Sequence, residues 1–117
     1  MLRGEIWYGV WPEDPELKFR PLLIVSNNHR NTAKQIHDVV VVKLTSLQRR
    51  DGSIKPLNPA EDLVVDLKKP TLIRCGAIYA VEKVLLKKKS GQLTAEQMQD
   101  VAARLKTVLD LGGGISN

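Results

Sequence analysis

Cysteine and histidine are scarce in this chain, and their scarcity removes whole classes of chemistry. Cys75 is the single cysteine and cannot close an intramolecular disulfide; with only His29 and His37 beside it, there is no spaced ligand set for structural zinc. Neither a metal nor a cofactor is expected. No apolar run approaches the roughly 20 residues that a bilayer span requires. The start, Met1-Leu2-Arg3-Gly4-Glu5, lacks the apolar segment of a secretory signal. A cytoplasmic protein without membrane attachment is the expectation. Internal repeats and low-complexity tracts are also missing. Aromatic residues are few, and Trp7, Tyr8 and Trp11 fall close together, which reads as core or interface packing rather than as platforms for stacked bases.

What remains is an ordinary folding composition. Hydrophobic residues make up 43% and charged residues 26%, which excludes global disorder and coiled coil, and 117 residues suffice for one core. A single domain over residues 1–111 with a flexible tail at 112–117 is expected. Eighteen Lys and Arg against thirteen Asp and Glu leave a net charge of +5, an excess compatible with a polyanionic partner that identifies none.

Strand periodicity dominates the first two thirds of the chain. Ile6, Tyr8 and Val10 alternate with Trp7 and Trp11, so a first strand presents apolar side chains on both faces. Residues 12–19 carry two prolines and three acids and are expected to form an exposed loop. Arg20-Pro21-Leu22-Leu23-Ile24-Val25 then reads as a strand buried on both faces, left through Ser26-Asn27-Asn28 and a polar connection. The β-branched run at 38–44 is a third strand that ends at Thr45-Ser46. Residues 48–62 form a turn-rich excursion, after which short strands are expected at 63–67, 71–75 and 77–83, and Lys87-Lys88-Lys89 reads as a solvated connector. Thr94 and Gln97 have the spacing of a capping box, and Met98, Val101, Ala102, Leu105, Val108 and Leu109 share one helical face, with Gly112 as the expected stop. The fold class is mainly β with one C-terminal helix packed on a small, strongly bent barrel or sandwich.

Four islands carry a likeness to a known group: Arg3-Gly4-Glu5-Ile6-Trp7, Arg20-Pro21-Leu22-Leu23-Ile24-Val25-Ser26-Asn27, Leu44-Thr45-Ser46 and Gly91-Gln92-Leu93-Thr94. In order and spacing, over about residues 3–111, the chain resembles the MazF/PemK (Kid-like) family of toxin endoribonucleases. The resemblance implies a homodimeric SH3-like barrel that cleaves single-stranded RNA without metal and is held inactive by a cognate antitoxin, an acidic, partly disordered chain. It also implies site residues. Arg20 stands where the family keeps its main catalytic arginine, Thr45 where it keeps a threonine, and Arg74 where Kid-like members set an arginine against the scissile phosphate. Gly76 and Tyr79 stand where those members have an aspartate and a second arginine.

The reaction implied needs a proton removed from a 2′-hydroxyl and negative charge stabilised on a phosphorane. Guanidinium forks from Arg20 and Arg74 suit the charge, and the Thr45 hydroxyl suits orientation. With Gly76 unable to act as a base, the acidic loop of Glu13, Asp14 and Glu16 is the remaining source, and Glu16 is the expected proton acceptor. Lys18, Ser46, Arg49, Arg50 and Lys83 are candidate RNA contacts. Arg74 pairing with Asp66 or Glu82 is the bland alternative for that residue. For the whole protein, the competing readings are an RNA- or protein-binding barrel without cleavage, and a gyrase poison of the CcdB type.

Overall fold

Burial of the central strands on both faces organises the molecule. The computed structural model describes residues 1–112, and the tail expected to be flexible lies, apart from Gly112, outside them. The elements are β1 (Glu5–Val10), β2 (Phe19–Ile24), α1 (Asn28–Thr32), β3 (Asp38–Ser46), β4 (Asp62–Asp66), β5 (Pro70–Glu82), β6 (Lys88–Gln92) and α2 (Ala95–Val108). The six strands form one antiparallel sheet in the order β4-β5-β3-β2-β1-β6. The sheet curls far enough that Leu67 and Lys69, at the β4–β5 turn, line one cavity with Ser90 and Gln92 of β6 at its other end. The result is a half-barrel with one C-terminal helix, the class read from the sequence.

Alternation along the strands sends side chains to two separate cores. Ile6, Leu23, Val42, Leu44, Ile73 and Cys75 pack beneath Val101, Met98 and Leu105 of α2. Leu22, Ile24, Val39, Val41 and Val81 form a second cluster on the opposite face, flanked by Trp7, Trp11 and Tyr79. β2 thus feeds both cores from consecutive residues, as its unbroken apolar run requires. Cys75 is fully buried, and burial pushes its thiol up to about 11.

The start of α2 matches the sequence reading: Thr94 Oγ1 accepts from the Gln97 amide at 3.1 Å, and the Thr94 amide donates to Gln97 Oε1 at 2.8 Å. Its end falls earlier than Gly112. Asp110 adopts a left-handed φ of 55°, and the Leu111 amide donates to the Lys106 carbonyl at 2.8 Å, closing the last turn.

Three further elements differ from expectation. The two strands expected at 71–75 and 77–83 are one continuous strand, β5, whose halves lie along different parts of β3. The connector around Lys88 is β6, ordered as an edge strand by pairing with β1. The polar connection after β2 contains the short helix α1, capped by the Asn27 side chain on the Arg30 amide at 2.8 Å. Among the described residues, no helix is long and apolar enough to cross a membrane.

Candidate functional site

The sheet face opposite α2 collects positive charge. On β3, Val42 and Leu44 point into the helix-side core, so Lys43 and Thr45 project from the other face. Arg20 shares the parity of Leu22 and Ile24 on that same face, and Arg74, between the buried Ile73 and Cys75, stands opposite Lys43 in the β3–β5 register. Trp11, just beyond β1, supplies a ring that both neighbours use. Lys43 Nζ lies 4.0 Å from the indole centroid and the Arg20 guanidinium carbon 4.9 Å from it.

This crowding has an electrostatic signature. Burial, followed by the nearby charges of Arg74 and Arg20, pulls the Lys43 ammonium below the usual lysine range, against an opposing pull from Asp14. Lys55 is lowered in the same direction, by burial first and then by Arg49, Arg74, Lys43 and Lys69. Its Nζ donates to Thr45 Oγ1 at 2.6 Å. Like charges held this closely lower the cost of bringing an anion among them.

Acids on the 12–19 loop orient Arg20. Its Nε donates to Asp14 Oδ2 at 3.0 Å, and its Nη2 reaches Glu16 Oε2 at 3.5 Å. Glu13 and Leu17 take φ values of 69° and 53°, folding the loop back so that both carboxylates meet the guanidinium. The Asp14 carboxyl is held below the ordinary range by the Glu16 amide and then by Arg20. Glu16 is lowered chiefly by Lys18, whose Nζ sits 2.7 Å from Oε2. Glu16, the expected proton acceptor, is thus paired with two cations, an environment that makes a carboxylate a weaker base.

Arg20, Thr45 and Arg74 therefore come to one face, joined by Lys43, Lys55 and Trp11, which the sequence alone did not assign to the site. Lys43 was legible in principle, since a charge two residues before Thr45 on a strand must share its face. Arg74 is exposed and pairs with neither Asp66 nor Glu82. Ser46, Arg49 and Arg50 line an adjacent open cavity of about 440 Å³ with Lys69. Lys18 lies exposed on the acidic loop. Lys83 does not join them. Its Nζ donates to the carbonyls of Arg30 and Ala33 at 2.8 and 2.9 Å, where it satisfies backbone oxygens at the end of α1.

A curled β-sheet with one covering helix, bearing arginine forks and lysines on its helix-free face, defines a protein built to hold a flexible polyanion. Residues 2–109 match the family described as "PemK-like, MazF-like toxin of type II toxin-antitoxin system", and the chain belongs to that family. Among solved structures, it is similar to an endoribonuclease from Mycobacterial species in complex with its cognate antitoxin, with a TM-score of 0.75 and 26% identity over 95% of this chain and 96% of that one. A second endoribonuclease from Mycobacterial species is 28% identical over 96% of this chain and 93% of the other, with a TM-score of 0.67. The fold is shared with a MazE-MazF structure from Deinococcus radiodurans at a TM-score of 0.69 and 11% identity, over 95% of this chain and 96% of that one. A comparison with curated proteins by sequence finds no match.

Proposed function

We propose that this protein is the endoribonuclease toxin of a type II toxin–antitoxin pair, cutting single-stranded RNA by attack of a 2′-hydroxyl on the adjacent phosphodiester. The observation that carries the reading is the convergence of Arg20, Lys43 and Arg74 on the sheet face opposite α2, with Thr45 two residues beyond Lys43 on the same face. Arg20, braced by Asp14 and Glu16, presents its remaining donors to the non-bridging oxygens as charge builds on the phosphorane. Arg74 takes the same phosphate from the neighbouring strand. Thr45, already bonded to Lys55, offers its hydroxyl proton to the substrate and links the lysine to the reacting group.

Because side chains supply this positive charge, cleavage is expected to proceed in excess chelator. Ser46, Arg49, Arg50 and Lys18 flank the site and are assigned to the RNA strand on either side of the cut. The working form is a homodimer, with the RNA strand lying in a basic groove between protomers. The inhibitor is an acidic antitoxin that competes for that charge, and the cytoplasm is where toxin, antitoxin and messenger RNA meet. The test is to incubate the purified protein with a long single-stranded RNA in EDTA and map the new ends. Discrete cuts at a recurring short motif support the proposal, whereas intact RNA that is nevertheless retained by the protein refutes it in favour of a binding module.

A further inference from the structure

β3 and β5 fall out of step beside the site. Val42 pairs with Ile78, but Lys43 pairs with Arg74, so Cys75, Gly76 and Ala77 have no partner on β3. A bulge of this kind bends the strand and re-aims the residues around it. Here it opens a cavity of about 320 Å³ lined by Lys43, Asn58, Glu61, Asp62, Arg74 and Gly76.

Glu61 is fixed at the rim. Its amide donates to the Asn58 carbonyl at 3.0 Å, and its carbonyl accepts from the Cys75 amide at 3.3 Å. The carboxylate then lies across Gly76: a Cβ added to that glycine would stand 2.7 Å from Glu61 Oε1, closer than such atoms approach. The missing side chain at position 76 is thus the room that Glu61 occupies.

The other acids near the site are already engaged. Asp14 and Glu16 are ion-paired, and Asp62 Oδ2 accepts from the Asn58 amide at 2.9 Å. Glu61, half-buried, carries no ion pair on its carboxylate among the described residues. It shares its cavity with Lys43 and Arg74, the two cations placed to take phosphate oxygens.

We propose that Glu61 is the catalytic proton acceptor at this face, taking the 2′-hydroxyl proton during RNA cleavage; the assignment rests on the endoribonuclease reading above. As the O2′–P bond forms, the proton passes to the Glu61 carboxylate. The P–O5′ bond breaks, and O5′ leaves with the electron pair and takes a proton from water. Glu61 returns its proton to the hydroxide left behind, and the products are a 2′,3′-cyclic phosphate and a 5′-hydroxyl.

The test compares single-turnover cleavage by the parent protein and Glu61→Gln, on a normal linkage and on one whose 5′-oxygen is replaced by sulfur. Sulfur leaves without a proton, so it separates loss of a base from loss of an acid. Glu61→Gln should slow both linkages by about 10²- to 10⁴-fold, with binding to a 2′-deoxy oligonucleotide undiminished. Glu61→Ala, which empties the room beside position 76, should be as slow as Glu61→Gln; adding Gly76→Asp to Glu61→Ala brings a carboxylate into that space from the other side and should restore part of the rate, whereas Gly76→Asn should not. If the parent cuts and Glu61→Gln cuts equally fast, or slows the normal linkage alone, the base assignment is overturned and the endoribonuclease reading stands. If the parent itself cuts neither linkage, that reading fails and the assignment with it.

Discussion

Replacing Arg20 with alanine removes one function from the site and leaves the rest of the face in place. In the structure, Arg20 shares the Trp11 ring with Lys43 and is gripped by Asp14 and Glu16, so its guanidinium reaches the site already oriented. A donor pre-aimed at developing charge contributes far more to the transition state than to the ground state, and losing one costs about 3–4 kcal/mol, or roughly 10²- to 10³-fold in rate. Binding should change little by comparison. One lost phosphate contact lowers the slope of log affinity against log salt by about 0.7 on a single strand, and Lys43, Arg74 and Lys55 continue to hold the backbone. Arg20→Lys should recover only a small part of the rate, because one ammonium cannot meet Asp14, Glu16 and a phosphate with the directed donors of a planar fork. The assay is single-turnover cleavage of a labelled RNA at saturating protein, alongside anisotropy binding of a 2′-deoxy oligonucleotide across a salt series. Parent-like cleavage by Arg20→Ala, or a loss of rate matched by an equal loss of binding, is incompatible with a transition-state role for Arg20.

Thr45→Ala should lower the rate by about tenfold, the equivalent of one hydroxyl contact, and Thr45→Ser should leave it near the parent, read in the same cleavage assay. Arg74→Ala should fall with Arg20→Ala rather than with surface lysine variants, since Arg74 faces Lys43 across the register and is exposed without an ion pair among the described residues. Cys75 gives a stability signature in alkali. Its thiol is raised from 9.0 to about 11 in the fold, so above pH 9 the unfolded chain ionises first and binds fewer protons. Stability is therefore lost as pH rises from about 9 to about 11, at up to roughly 1.4 kcal/mol per unit. Urea melts across that range should be less steep in pH for Cys75→Ala than for the parent, and identical pH slopes contradict the burial argument.

The parts of the fold legible in the sequence are those in which local signals agree with tertiary placement. In β2, the unbroken run from Leu22 to Val25 has only one structural solution, a strand between two cores, and both cores are present. The capping box of α2 is similarly self-contained, because Thr94 and Gln97 satisfy each other's backbone donors. β6 carries no such signal. Lys88-Lys89-Ser90-Gly91-Gln92 lacks both alternation and β-branched residues, and it becomes a strand only because β1 offers an unpaired edge.

The same division runs through the site. Arg20 and Thr45 were singled out from their islands and Arg74 from its likeness to Kid-like members, and strand parity is what puts the three on one face. Lys43 was hidden inside a valine run that reads as core, and Trp11 in a cluster that reads as packing. Glu61 has no local signature at all. It lies in a turn-rich excursion, and its approach to Gly76 depends on the pairing of β4 with β5 and on the bulge opposite Lys43. A glycine within a strand does signal a close approach by another group, but position 76 alone could not say which group approaches.

If side chains on the helix-free face drive attack by a 2′-hydroxyl, that hydroxyl is indispensable at the cut. The most direct measurement takes an RNA cut at a mapped site, replaces that one ribose with 2′-deoxyribose, and compares cleavage of the two strands by the purified protein in EDTA. Only the all-ribose strand should be cut, leaving a 2′,3′-cyclic phosphate and a 5′-hydroxyl. Equal cutting of the substituted strand, or product ends bearing a 5′-phosphate, would contradict it.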